Sequence, residues 1–413
     1  MNLEKSKENI CPEATDSDSE NYSSSIESDC ESISSISSDE IDYQVDNIDL
    51  RGKSLNGYYF IEELGRGGFS IVWLAYHVDK EKFFGIKVNH PNDFRDAVDE
   101  AKFHRRIPSQ SKKDEQVFFN KIIESFPKTI DNKRYYCSVY KLYGGNLDDF
   151  IHKGLYPNGY GEEISIKMIY PIVKALDFLH NKLKCYHGDL KPDNILLFGY
   201  NKRDSTIISK YKEHDLFLKL KGKKECREEI HQKIIKDIKI NKQLKYECVD
   251  NYIENPKTVL SDFGNFCDED DQFEDEFGTR YYRAPEIMIV GPTSYPVDIW
   301  ALGCTFYELI VGKALFNPQK KKYDTNHEHL SIIQNYCGII PKKLVKKCRK
   351  KKDYFNKNNK LKDYIDNKYD LKEMLLNEIS NKQIVDFICS CLQTNPKDRV
   401  KISDLITHNI FEN

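Results

Sequence analysis

At 413 residues the chain exceeds one average domain, and its formal charge of −3 hides a strong polarity: residues 1–50 carry 14 Asp/Glu against two Lys, a net −12, which leaves +9 on residues 51–413. Its twelve cysteines form no C-x-x-C pair, and Cys389 and Cys391 are only two apart, which argues against a zinc site or disulfide framework and for a reducing compartment. No apolar run approaches a membrane span and the acidic start is no secretory signal, so an intracellular location, cytoplasmic and/or nuclear, is expected.

Residues 1–50 also hold 12 serines and few large apolar side chains. They cannot bury enough surface to offset the entropy of ordering, so a disordered acidic tail is expected. Its serines followed by acids suit phosphorylation and suit a solvated spacer equally well.

From Tyr58 the pattern turns β-rich: "YYFIEELGRGGFSIVWLAYHVDKEKFFGIKV" reads as strand, glycine turn, strand, turn, strand. A glycine-rich hairpin lets backbone N–H groups approach phosphate oxygens without side chains in the way. The dinucleotide fingerprint and the P-loop are excluded, because both need a helix directly after the glycines. Lys87 lies in an apolar strand between Ile86 and Val88. It either points to solvent or is buried, and if buried it needs an anionic partner. Thirteen residues on, Glu100 sits on a stretch whose Phe94, Val98 and Ala101 have helical spacing, so it could reach back to Lys87.

"CSVYKLYGGNLDDFI" passes from strand through Gly144-Gly145 to helix, and "ISIKMIYPIVKALDFLHNKL" places Ile169, Ile172, Val173, Leu176 and Leu179 on one helical face. "YHGDLKPDNILLFGY" then sets Asp189, Lys191 and Asn194 just before an apolar strand. Taken alone, such a cluster is ordinary turn chemistry. Residues 199–255 form a basic interruption with 14 Lys/Arg against nine Asp/Glu up to Asp250, and Ile230, Ile234 and Ile238 make a thin apolar stripe that predicts a short helix. A tolerated polar insertion is the expectation there, with partner binding as the alternative. Beyond it come "VLSDFGN" and, between Asp262 and Thr279, seven acids without a serine or threonine. That strip reads as a solvated loop or as a surface steering basic substrates.

Together these motifs resemble a eukaryotic-type protein kinase: Gly65-x-Gly67-x-Phe69-x-x-Val72, Lys87 with Glu100, His187-Gly188-Asp189-x-Lys191-x-x-Asn194, Asp262-Phe263-Gly264 and Ala284-Pro285-Glu286 stand in the right order. The resemblance implies an α+β, two-lobed kinase fold over 58–413, with a β-rich N-lobe at about 58–143 and a helical C-lobe at about 144–413, interrupted at 199–255. It implies ATP and Mg²⁺ as ligands. The hairpin of Leu64, Gly65, Arg66, Gly67, Gly68, Phe69, Ser70, Ile71 and Val72 would cover the ATP phosphates, Lys87 would hold them, Glu100 would fix Lys87, and Tyr140 would be the gatekeeper beside the adenine. Asp189 would orient the attacking hydroxyl, Lys191 would offset charge on the transferred phosphoryl group, and Asn194 and Asp262 would be the metal ligands. A lysine at 191 is typical of kinases acting on serine or threonine. Glu286 would pair with Arg399, and Asp298 would support the catalytic loop from beneath.

Three departures stand out: Ser70 for the third hairpin glycine, Gly85 for the alanine two before the lysine, and Gly188 for the arginine that commonly binds a phosphorylated activation loop. With no serine or threonine in the acidic strip, the usual phosphorylation switch is expected to be missing, and Thr279 is expected to bond the catalytic loop rather than accept phosphate.

"LSDFGN", "TRYYRAPE", "PVDIWALGC", "ALFNPQ" and "HLSIIQNYCGIIPKKL" are similar to the SR-protein kinase branch of the CMGC group, over residues 50–198 and 256–413. This implies a protein substrate, phosphorylated on Ser/Thr in a basic, Arg/Ser-rich context. That branch places several acids before the position of His329; here only Glu328 stands there. The rival is a pseudokinase or scaffold binding nucleotide and partners without phosphotransfer; the full set Lys87, Glu100, Asp189, Asn194 and Asp262 favours the enzyme. No aromatic-interleaved basic stripe accompanies the charge of +9, so nucleic acid is not an expected partner. The oligomeric state is not fixed by the sequence.

Overall fold

A computed structural model describes residues 48–107, 118–222, 224–239, 247, 252–319, 324–365, 367 and 369–412. The acidic tail expected over 1–50 lies outside them except at its end, where the expectation fails: Ile48 and Leu50 are buried in the N-lobe core. Two apolar side chains at strand spacing were outweighed by the acids averaged in around them.

The N-lobe is one antiparallel sheet in the order β1-β2-β3-β4-β6-β5. Its main strands are β2 (Tyr58–Arg66), β3 (Ser70–His77), β4 (Lys82–Asn89), β5 (Glu124–Ile130) and β6 (Lys133–Lys141), after the two-residue β1 (Ser54–Leu55). Period-two alternation splits the sheet's side chains. Tyr58, Phe60, Ile71, Trp73 and Val88 fill one core, while Tyr59, Ile61, Leu74 and Tyr76 point to the opposite face. Helix α1 (Phe94–Arg106) packs on β6 through Ala97, Ala101 and Tyr136.

The C-lobe is helical. Helix α2 (Leu147–His152) follows the hinge, and α3 (Glu162–Asp177) buries all five residues of the expected apolar face when its continuation through Leu179 is included. Asn194 and Asp262 flank a small antiparallel pair, β8 (Ile195–Leu197) with β9 (Thr258–Leu260) after β7 (Cys185–Tyr186). Buried Glu286 and Arg399 form the expected ion pair, bidentate at 2.6 and 2.8 Å.

The basic insert is not a solvated spacer. Helices α4 (Lys202–Glu213), α5 (Phe217–Leu220) and α6 (Arg227–Asp237) lay Ile207, Tyr211, Phe217, Leu220 and Ile234 against Tyr59, Ile61, Leu74 and Tyr76 of the sheet. Polar ties pin it at three levels. Asn201 Nδ2 donates to the Gly144 carbonyl in the hinge at 2.6 Å, Arg203 to the Glu63 carbonyl at 2.8 Å, and His231 Nε2 to the Phe60 carbonyl at 2.9 Å. The stripe pointed to α6, but its lysines hid how much apolar surface α4 and α5 add.

Candidate active site

The cleft between the lobes is lined from above by Leu64, Gly65, Ser70, Val72, Gly85 and Lys87, from the hinge by Tyr140, Leu142 and Tyr143, and from below by Asp193, Asn194, Leu196 and Asp262. β4 turns Gly85 and Lys87 into it by strand alternation, with Gly85 opposite Tyr140 and Lys87 opposite Ser138 on β6. A Cβ on Gly65 would meet no protein atom within 4 Å. Its bareness therefore leaves space for a ligand and relieves no crowding in the protein. Of the expected hairpin residues, Ile71 turns away into the sheet core, Arg66 pairs with Glu63 at 2.6 Å, and Phe69 stands 68% exposed at the tip.

Lys87 Nζ donates to Glu100 Oε2 at 2.9 Å and to Asp262 Oδ1 at 2.8 Å. Of the two alternatives for a strand lysine, Lys87 takes the paired one, half-buried between two carboxylates. Burial alone would lower the Lys87 pKa, but Asp262 and Glu100 more than reverse it and raise it well above the usual value. Burial likewise opposes ionisation of Glu100, yet Lys87 and His104 hold its carboxyl below the usual range. Asp262 adopts φ +60°, a left-handed conformation that a non-glycine residue holds at a cost; it aims the carboxylate at Lys87 while Phe263 is fully buried behind it.

The catalytic-loop residues are positioned from beneath by α7 (Pro296–Val311), whose buried Asp298 accepts from His187 N at 2.8 Å, His180 Nε2 at 2.9 Å and Gly188 N at 2.9 Å. The Asp189 N–H donates to His187 Nδ1 at 3.2 Å, so His187 Nε2–H donates to the Ser261 carbonyl at 3.0 Å. Asn194 Nδ2 donates to the Asp189 carbonyl at 2.7 Å, leaving Oδ1 as the free end of this cleft-lining amide. Asp189 Oδ1 accepts from Thr279 N at 2.7 Å, its Oδ2 lies 3.2 Å from Lys191 Nζ, and Lys191 donates to Thr279 Oγ1 at 2.6 Å. Asp189, Lys191 and Thr279 thus meet at one point. Thr279 bonds the catalytic loop as expected.

The activation segment is held by a cluster of side chains around Glu276. Glu276 Oε2 accepts from Arg283 and Asn326, each at 2.8 Å, and Oε1 accepts from Lys350 at 3.1 Å. Arg283 also donates to the Gly278 carbonyl at 2.8 Å, and Arg280 to Asn326. Nothing in a run of seven acids singled out Glu276 in the sequence. Asp193 was missed too, although it stands one residue before Asn194. It belongs to an acidic rim with Asp148, Asp149 and Glu308 below the hinge. His152 Nε2 lies 3.3 Å from Asp148 Oδ1 and 3.5 Å from Glu308 Oε1, while Tyr282 donates to Glu308 Oε2 at 2.5 Å. Burial, then Asp193, pushes the Asp148 carboxyl up to about 6, and burial raises Asp193 and Glu308 as well.

The protein kinase domain model matches residues 58–211 and 231–411. The chain belongs to the protein kinase family. This kinase is similar to a putative serine/threonine-protein kinase L205 of Acanthamoeba polyphaga mimivirus, at 24% identity over 77% of this chain and 79% of that protein. It is also similar to the serine/threonine-protein kinase SRPK of Physarum polycephalum, at 28% over 73% and 71% of the two chains. Human dual specificity protein kinase CLK4 is 26% identical over 68% of this chain, which spans about half (51%) of that protein. A crystallised kinase domain, PF14_0431, superposes with a TM-score of 0.60 at 25% identity, covering 86% of this chain and 95% of that one. These findings make the chain an ATP-dependent protein kinase that resembles the SR-protein kinases, with the α+β kinase fold. Among the described residues no helix is long and apolar enough to cross a membrane.

Proposed function

We propose that the kinase transfers the γ-phosphoryl group of ATP to Ser or Thr hydroxyls flanked by basic residues, and that it is active as synthesised. The observation that carries the reading is the convergence of Asp189, Lys191 and Thr279 opposite the completed Lys87–Glu100–Asp262 chain. Asp189, anchored through one carboxylate oxygen by the Thr279 amide, orients the substrate hydroxyl and takes its proton. Lys191 sets positive charge beside the phosphoryl group in flight. Lys87 holds the α- and β-phosphates under the glycine hairpin, and Tyr140 closes the back of the adenine pocket.

Asn194 Oδ1 and the Asp262 carboxylate would hold Mg²⁺; an all-oxygen pair facing the cleft suits that ion. Bound there, Mg²⁺ would neutralise phosphate charge. Transfer of this kind asks little covalent work of the protein, so positioning supplies the rate. Support for a basic substrate is the grouping of the Asp148, Asp149, Asp193 and Glu308 carboxyls beside the cleft, where a substrate guanidinium would find acceptors. Support for activity without a switch is Glu276, which occupies the cationic site of Arg283 and Lys350.

The test is Mg²⁺-dependent transfer from ATP to short Arg-Ser and short acidic peptide pools, with Asp189→Ala as control. Transfer to the Arg-Ser pool that vanishes in the variant is expected. Transfer confined to acidic peptides would overturn the substrate context, and no transfer by phosphate-free protein would overturn the activity as synthesised.

A further inference from the structure

Residues 342–362, "KKLVKKCRKKKDYFNKNNKLK", contain eleven Lys/Arg and one acid, Asp353. The segment is folded. Val345, Cys348, Tyr354, Phe355 and Leu361 are buried in the C-lobe core, and Phe355 bridges Leu361 in antiparallel fashion. With its apolar side chains inside, its cations are turned outward: Lys342, Lys343, Lys346, Lys347, Lys352, Lys357 and Lys360 are all exposed.

Three of the eleven are used internally. Lys350 pairs with Asp275 and Glu276, Arg349 donates to the Phe273 carbonyl at 2.7 Å, and Lys362 donates to the carbonyls of Lys352 and Asp353. The other eight have no ion-pair partner among the described residues. Like charges packed this densely repel one another and destabilise the fold that carries them. The internal contacts also say where the surface lies: it abuts the activation segment at 273–276, three residues before Thr279, whose amide bonds Asp189.

We propose that this lysine surface is a docking site for an acidic segment of the protein substrate, remote from the phosphoacceptor. Two observations select a protein anion over a nucleic acid. The segment's aromatic rings, Tyr354 and Phe355, are buried, so no ring is offered for base stacking. The surface is also continuous with the segment that presents a protein substrate to Asp189. Lysine ammonium groups are compact point charges on mobile stems, suited to a carboxylate-rich chain without fixed geometry and to steering its approach. The substrate would be bipolar, basic around its Ser/Thr and acidic at a distance. This rests on the phosphotransfer reading above for its kinetic readout only.

The experiment uses the full chain and one basic serine peptide joined by a flexible linker of about ten residues to either a six-glutamate tail or a neutral tail. The expected result is a KM about tenfold lower for the acidic tail at unchanged kcat, weakening as salt rises. In the variant K342E/K343E/K346E/K347E that advantage disappears, while KM and kcat for the neutral-tailed peptide stay as in the parent. Equal KM for both tails in the parent, or an advantage that survives charge reversal, would overturn the proposal. So would a single-stranded oligonucleotide that binds this surface more tightly than the glutamate tail does. Fluorescence anisotropy of the labelled acidic tail on Asp189→Ala protein reads docking without turnover, so a kinase that fails to transfer phosphate leaves the docking result intact.

Discussion

Gly188 holds φ at +79°, and a Cβ there would come within 2.4 Å of the Asn265 carbonyl oxygen. Its amide is meanwhile tied to Asp298 at 2.9 Å. The arginine missing from this position therefore cannot be restored by simple substitution. Gly188→Ala should cost at least ~1–2 kcal/mol from backbone strain alone and should move Asp189, giving a lower Tm and a lower kcat together; an unchanged kcat would sink this account. Glu276 makes the complementary case. Removing its charge in Glu276→Gln leaves Arg283 without its carboxylate and Lys350 with Asp275 alone, and kcat should fall roughly tenfold or more with KM for ATP unchanged. Glu276→Asp should recover part of that loss, which a merely bulky role would not explain. At this scale the sequence disclosed residues that lie in short fixed-spacing motifs, such as Asp189, Asn194 and Asp262. It did not disclose Glu276 or the Asp148–Glu308 rim, because their partners are brought from distant segments by folding.

Helix α6 is joined to the sheet by a neutral histidine. His231 Nε2–H donates to the Phe60 carbonyl, so Nδ1 accepts from the Tyr211 hydroxyl at 2.9 Å. Burial lowers its pKa to about 4 from the usual 6.5. A histidine pKa depressed by folding contributes stability that is complete above 6.5 and is lost as pH falls towards 4. Between pH 7 and 5 the loss is about 2 kcal/mol. Hydrogen exchange in 227–237 and 207–217 should therefore speed up, relative to the C-lobe core, on acidification through this window; pH-independent protection would contradict it. Tyr211→Ala, which empties a fully buried site against Tyr76 and Phe217, should cost ~3–5 kcal/mol. The helices were legible only where apolar residues recur at helical spacing. That α4 to α6 cover the sheet was not, because Tyr59, Ile61, Leu74 and Tyr76 read equally well as one face of an ordinary strand pair.

For the whole molecule, the formal charge of −3 sums an acidic first fifty residues with two fields among the described residues, the acidic rim at the catalytic cleft and the lysine surface of 342–362. Exposed charges interact over about a Debye length, ~8–10 Å at physiological salt, so each field acts on whatever is nearest to it. For a short basic peptide the relevant field is the rim. Its kcat/KM should fall severalfold from 0.05 to ~0.3 M salt through KM, with kcat constant; salt-insensitive KM would remove the rim from the account of specificity. Composition showed the sum and the basic excess beyond residue 50, but not the faces on which each sign lies, since that depends on which side chains the core withdraws.

Asn201 and Asp204, near the start of the insert, form part of the wall of the cleft between the lobes. An adenine-site inhibitor extended past the hinge towards the buried Asp204 carboxyl, whose pKa is raised by burial to about 6, would find an anchor there. The segment that looks most dispensable in the sequence thus helps to shape the cleft that a ligand would fill.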